Sequence, residues 1–147
     1  DEVVQAALGR ARRVLGDRAV TVSVAADLLP VEVDLVMLEH ALANLLENAV
    51  HHAPGSPIDV SVASVGDAVE FRVADHGPGV PPAEADRVFE EFVRVGSDAR
   101  RGFGLGLTIV RVLVEAHGGT VRVEQTSGGG ATFVVRIPCV DAAVAVP

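Results

Sequence analysis

Apolar residues recur at three- and four-residue steps in three stretches of this chain and at alternate positions in five others. Between residues 2 and 15, Val3, Ala7, Val14 and Leu15 stand among Arg10, Arg12 and Arg13, an amphipathic helical pattern that stops at Gly16. Residues 19–25 then alternate as a strand. Leu35, Leu38, Leu42, Leu45 and Ala49 return at helical spacing behind Asp34, a good N-cap, which predicts a second helix from residue 34 to about 53, ahead of Pro54. Residues 58–64 and 68–75 alternate around Val65-Gly66-Asp67 and predict a hairpin. A final hairpin is expected over 120–125 and 131–137, joined through Ser127-Gly128-Gly129-Gly130. A third helix, from about residue 105 to 117 and stopped by Gly118-Gly119, is apolar on most faces, which predicts that it is largely buried. Five strands and three helices of these lengths suit a two-layer α/β sandwich, a mixed sheet covered on one face by helices. Residues 77–102 break the rhythm: they are rich in Gly, Pro and charge, with one apolar island at Val88, Phe89 and Phe92. A connection of that length, with its own short helix, is expected to be a functional lid or disordered.

Composition narrows the classes. The chain has 147 residues, 49% hydrophobic and 22% charged, enough for one domain with a core, expected over residues 1–138 with a tail over 139–147. Twenty acidic against twelve basic residues give a formal charge of -8, which argues against nucleic acid and anionic membrane surfaces as partners. Every basic residue is Arg; without Lys, a GxxxxGK[ST] phosphate loop and Schiff-base chemistry are excluded. The single Cys139 makes neither an internal disulfide nor a thiolate metal site, so a reducing cytoplasmic compartment is expected. Arg111 and Glu115 interrupt the longest apolar stretch and no signal peptide opens the chain, so no direct membrane contact by this domain is expected. The absence of an initiator Met suggests a piece excised from a longer protein.

Three places could carry chemistry. Asn44 and Asn48, four residues apart on the second helix, project from one face, and His51 and His52 extend that polar line by a turn. Two Asn in one helix are compatible with chance surface polarity, a buried hydrogen-bond network or a ligand; an amide oxygen is also a hard donor that Mg²⁺ accepts beside phosphates. Asp75-His76-Gly77-Pro78-Gly79 follows a strand, where a buried carboxylate needs donors and glycines permit close backbone approach; a plain strand-ending turn is the alternative. Gly102-Phe103-Gly104-Leu105-Gly106-Leu107 runs into a helix whose first amides can cradle phosphate, although the same glycines suit a hinge or close packing.

In this order and spacing the segments resemble sensor histidine kinases. Asn44-Leu45-Leu46-Glu47-Asn48-Ala49 resembles their N box, Asp75 to Gly79 the first glycine box, Phe89 and Phe92 the F box, Gly102 to Gly106 the second glycine box, and Gly130-Ala131-Thr132-Phe133 the last family segment. The resemblance implies the catalytic ATP-binding domain, whose Bergerat fold is shared with gyrase-type and chaperone ATPases. It implies that Asn48 coordinates Mg²⁺, Asn44 supports metal or phosphate, and Asp75 accepts from the adenine amine. Thr132 would hold a water between Asp75 and the base, and Gly77 and Gly79 would let the ring slide past the backbone. Residues 81–103 would form the ATP lid, anchored by Phe89 and Phe92. From it Arg94, Arg100 and Arg101 are candidates for the γ-phosphate, with Arg94 counted beside Asn44 and Asn48 in catalysis. Gly102, Phe103, Gly104, Leu105, Gly106 and Leu107 would line the phosphates. Where the family has Lys and an aromatic after the N box, this chain has His51 and His52, and imidazole is only partly charged at neutral pH.

Gyrase-type and chaperone relatives carry a catalytic Glu where this chain has Asn44, and Glu47, one residue and about 100° round the helix from Asn48, does not replace it. The resemblance therefore implies phosphoryl transfer rather than hydrolysis, onto a histidine of a separate dimerisation domain in the same homodimeric parent, which then serves a response regulator. None of His40, His51, His52, His76 and His117 stands in the acceptor's His-Glu or His-Asp context. The domain is expected to be cytoplasmic, in a membrane-anchored parent. Two alternatives stay open: an anti-sigma-type serine/threonine-protein kinase on the same fold, and a non-catalytic nucleotide sensor.

Overall fold

In the computed structural model, residues 1–90 and 104–140 are described, with the backbone alone for Gly104 and Leu105. Helices α1 (Glu2–Arg10) and α2 (Arg12–Leu15) lead into β1 (Val20–Val24), then α3 (Leu35–His52) and the hairpin of β2 (Ile58–Val65) and β3 (Ala68–Ala74). Two short 3₁₀ turns, Pro82–Glu84 and Arg87–Phe89, follow, then α4 (Gly104–Glu115), β4 (Thr120–Gln125) and β5 (Ala131–Pro138).

The sheet order is β1-β2-β3-β5-β4, with β1 parallel to β2 and every other pair antiparallel. The parallel pair demands a crossover, and α3 supplies it. Asp34 caps this helix as the sequence predicts, its carboxylate accepting from Met37 N at 3.1 Å. Leu38, Leu42, Leu45, Leu46 and Ala49 of α3 are buried against Val60, Val62, Phe71, Val73, Phe133 and Val135 of the sheet, the alternation of each strand sending those residues to the helix side. Two sequence expectations change. The first helix breaks at Ala11, with α2 a separate turn. In α4 only one face is buried, through Leu107, Val110 and Val114, while Ile109 is 37% and Val112 61% exposed. A helix in a two-layer sandwich has sheet on one side and solvent on the other, whatever its composition.

Among the described residues no helix covers the other face of the sheet, and the strands finish it with charge. Glu70, 3% exposed, accepts from Arg72 at 3.0 Å, Arg136 at 3.2 Å and Arg122 at 3.4 Å. Arg72 and Arg122 also hold Glu124, and Arg136 holds Asp67. Val134 stands between Arg72 and Arg122 in the register and is fully buried, as expected beneath the arginine stems. Burial pushes the Glu70 carboxyl up, but the bond from Arg72, the charge of Arg122 and the bond from Arg136 outweigh it and hold the group below the ordinary carboxylate range.

Candidate functional site

At the C-terminal end of β3 the chain turns through Asp75 against the first residue of β5. Asp75 N donates to Ala131 O at 2.9 Å, and Asp75 Oδ1 accepts from Ala131 N and Gly77 N, both at 3.0 Å. The carboxylate is 2% exposed, and no side-chain cation pairs with it among the described residues. Both of its bonds fall on Oδ1, so Oδ2 is left to accept from something else. Asp75 lines a cavity with Asn48 and His52 of α3, Gly79, Val80, Ala131 and Phe133. The cavity is small, and three of its seven lining residues, Asn48, His52 and Asp75, bring polar groups together there.

The two helix amides carry a further signal. Nδ2 of Asn44 and Nδ2 of Asn48 are buried and find no acceptor among the described residues. Buried amide hydrogens left unpaired cost about 1–3 kcal/mol each, which a ligand bringing oxygen atoms offsets. Turning either amide about its Cγ presents an oxygen in the same place, so the pair suits phosphate oxygens or a hard cation. Among the described residues no three His, Cys, Asp or Glu side chains cluster as metal ligands.

The glycines here serve protein packing. A Cβ on Gly77 would lie 2.7 Å from Ala53 Cβ and 3.1 Å from the His52 carbonyl oxygen, so the β3 exit can approach the end of α3 only as Gly. A Cβ on Gly79, whose φ is +79°, would lie 2.9 Å from Gly130 O, and a Cβ on Gly130 would collide with the Asp75 carbonyl. Gly106 is the opposite case: a Cβ there meets nothing within 4 Å among the described residues. No described residue gives its glycine a packing reason, and it lies in the first turn of α4, where backbone N–H groups lack helical partners.

Several expected residues fall into place and others do not. Asn48, His52, Asp75 and Gly79 meet at one cavity, with Asn44 one turn before Asn48. His51 is exposed on the last turn of α3 and is not part of the cavity lining. Thr132 requires correction. Its strand partners are Ala74 and Glu124, which belong to the open face, and its hydroxyl pairs with Thr126 Oγ1 at 2.9 Å. Strand alternation sends residues 131 and 133 to the cavity and 132 to the other side, so Thr132 cannot hold a water beside Asp75. Ala131, Phe133 and Val80 are the lining residues that sequence reasoning passed over; the period-two pattern of β5 was the available signal for the first two. Phe89 anchors the base of the expected lid, its ring edge-on to Phe133 at 6.0 Å and 88°, and Thr108 of α4 donates to its carbonyl at 3.3 Å. Phe92, Arg94, Arg100, Arg101, Gly102 and Phe103 lie outside the described residues, as do the side chains at 104 and 105.

Comparison with known proteins bears on the same residues. The family model described as "Histidine kinase-, DNA gyrase B-, and HSP90-like ATPase" matches residues 33–141. The Sensor protein KdpD of Clostridium acetobutylicum is 37% identical over 142 residues, which is 94% of this chain and 16% of that protein. The Mycobacterial sensor histidine kinase MprB superposes with a TM-score of 0.78 at 34% identity, covering 93% of this chain and 92% of that one. The ATP binding domain of PrrB from Mycobacterium tuberculosis gives 0.75 at 30% identity, over 95% and 93%. The chain therefore spans a small part of that curated relative and nearly all of the two solved chains. Among the described residues no helix is long and apolar enough to cross a membrane.

Proposed function

The chain belongs to the histidine kinase-, DNA gyrase B- and HSP90-like ATPase family, and from that premise we propose that it binds ATP with Mg²⁺ and donates the γ-phosphoryl group to a histidine on a separate dimerisation domain. That domain belongs to the same parent, a membrane-anchored two-component sensor kinase that forms dimers through it and passes the phosphoryl group to a response regulator.

The observation that carries the reading is Asp75, buried, with Oδ1 accepting from two backbone N–H groups and the residue lining a small cavity that it shares with Asn48 and His52. An ionised carboxylate fixed in this way accepts and never donates, so it selects the exocyclic amine of adenine over the carbonyl of guanine. Asn48, supported by Asn44, would hold Mg²⁺, and the side-chain amides of both, whose Nδ2 groups find no acceptor among the described residues, fit that role or direct contact with phosphate oxygens. When bound, the cation neutralises phosphate charge. The first-turn amides of α4 and the open space at Gly106 would receive the phosphates. The chain's own work is positioning: it fixes the base at one end, and the γ-phosphorus is left exposed to an imidazole nitrogen in line with the β–γ bridging oxygen. The P–O bond breaks as the N–P bond forms, and ADP leaves. Asn44 offers no carboxylate base to activate water, which favours transfer to a side chain over hydrolysis.

Isothermal titration tests the binding step. Mg-ATP should bind more tightly than Mg-GTP, and Asn48→Ala should remove most of the Mg²⁺-dependent affinity. Equal affinity for the two nucleotides would remove Asp75 from base recognition.

A further inference from the structure

Helix α3, which lends Asn48 and His52 to the cavity, and α4, whose first turn is assigned to the phosphates, are joined at their far ends through one imidazole. Nδ1 of His117 lies 2.8 Å from the carbonyl oxygen of Leu113, in the last turns of α4, and Nε2 lies 2.9 Å from the backbone nitrogen of Asp34. A carbonyl only accepts and a backbone N–H only donates, so the partners dictate the state of the ring: the proton sits on Nδ1 and the lone pair on Nε2. Asp34 is the N-cap of α3, whose own Oδ1 is taken by Met37 N. From this corner α3 runs about 15 Å to Asn44, and α4 leads back about 20 Å to its first turn, the two helices packing against each other.

We propose that His117 is a positioning residue for nucleotide binding: in its neutral Nδ1–H form it clamps the head of α3 to the tail of α4, and a gained proton opens the clamp. The role rests on reading the cavity as the ATP site, and it is exerted through the two helices, not by contact with nucleotide. A proton on Nε2 would face the Asp34 N–H, donor against donor, and the bond would be lost. Asp34 has its carboxylate on Met37 N, Glu32 lies two residues earlier, and Glu115 on α4 is paired with Arg111 at 3.1 Å. β4 begins with Thr120, Pro138 of β5 carries no charge, and Arg136 is committed to Glu70 and Asp67. A protonated ring that turned to the Asp34 carboxylate would take it from Met37 N, so either route gives up a bond at the head of α3.

Long-range ¹H–¹⁵N correlation spectra of the imidazoles test the assignment on the unaltered chain. Near neutral pH His117 should show the Nδ1–H tautomer, against the Nε2–H form that free imidazole side chains prefer. Two variants test the role: His117→Phe keeps a flat ring without nitrogens, and His117→Gln keeps one acceptor and one donor. In His117→Phe the Asp34 amide should exchange about fivefold faster. Its Mg-ATP affinity should fall severalfold near pH 7.5 and change less than that of the unaltered chain on going to about pH 5.5. His117→Gln should recover part of the affinity at both pH values. An Nε2–H tautomer near neutral pH, or identical affinities and pH profiles for the unaltered chain and His117→Phe, would overturn the proposal. The tautomer and Asp34 protection as expected, with no Mg-ATP binding by any form, would refute the nucleotide reading and the positioning role while leaving the bond between the helices.

Discussion

Replacing Thr132 with Val separates what the motif implies from what the strand geometry dictates. The substitution keeps the β-branched shape and removes one hydroxyl, which lies 2.9 Å from Thr126 Oγ1 on the open face of the sheet. Thr132 is 7% exposed, so the added methyl replaces the hydroxyl in a packed position, while Thr126 is half-buried and keeps access to water. One neutral hydrogen bond of this kind contributes about 1 kcal/mol, equivalent to about 2–4 °C in Tm for a chain of this size. Mg-ATP affinity should stay within about twofold, because residue 132 points away from Asp75. Ala131→Val is the matching experiment: two extra methyl groups enter the cavity beside Asp75, and affinity should fall by about tenfold or more, corresponding to at least ~1.4 kcal/mol. Titration calorimetry with thermal unfolding measures both quantities on each variant. A Thr132→Val chain that loses about tenfold in ATP affinity with unchanged stability would refute the strand argument and return the hydroxyl to the nucleotide.

Three further outcomes follow from the packing. Glu70→Gln should cost about 2–4 kcal/mol, since it leaves Arg72, Arg122 and Arg136 around a neutral group, and thermal unfolding should register it without a change in ATP affinity. The Glu70 carboxyl is held below its unfolded value, so its contribution is full above the unfolded carboxylate range and is lost as pH falls through the folded one; a variant whose stability falls with acid as steeply as the unaltered chain's would contradict this. Gly106→Ala should raise stability by up to about 1 kcal/mol while weakening Mg-ATP binding, because the Cβ meets no atom of the described residues but stands in the helix turn assigned to phosphate; a variant stabilised and binding normally would clear Gly106 of that role. Gly77→Ala should destabilise by about 1–3 kcal/mol through Ala53, with or without nucleotide, as denaturant titration can show.

Local chemistry was legible in the sequence where a single segment determines the outcome. The Asp34 cap, the helical spacing of Leu38, Leu42 and Leu45, and the alternating hairpins all appear as expected, since each depends on residues a few positions apart. The burial of α4 was misjudged because an all-round apolar helix does not say which side faces solvent; Val112 shows that here one side does. Thr132 was assigned from a motif, and one residue of offset in a strand exchanges the two faces of the sheet. The bond between Asp34 and His117 spans 83 residues, and Glu70 meets Arg122 and Arg136 at separations of 52 and 66. Such pairings arise from the topology, in which β3, β5 and β4 become neighbours, and no periodicity within one segment announces them.

The most direct test of the central claim is a phosphotransfer assay with γ-labelled ATP, the chain, and the histidine-bearing helical domain of its parent supplied in trans. Label should pass to the partner alone, lost in acid and kept in base, as a phosphoramidate N–P bond requires. Without the partner the chain should neither label itself nor release phosphate at an appreciable rate. Self-labelling, rapid release of free phosphate, or partner label that survives acid as a phosphoserine does would contradict the account.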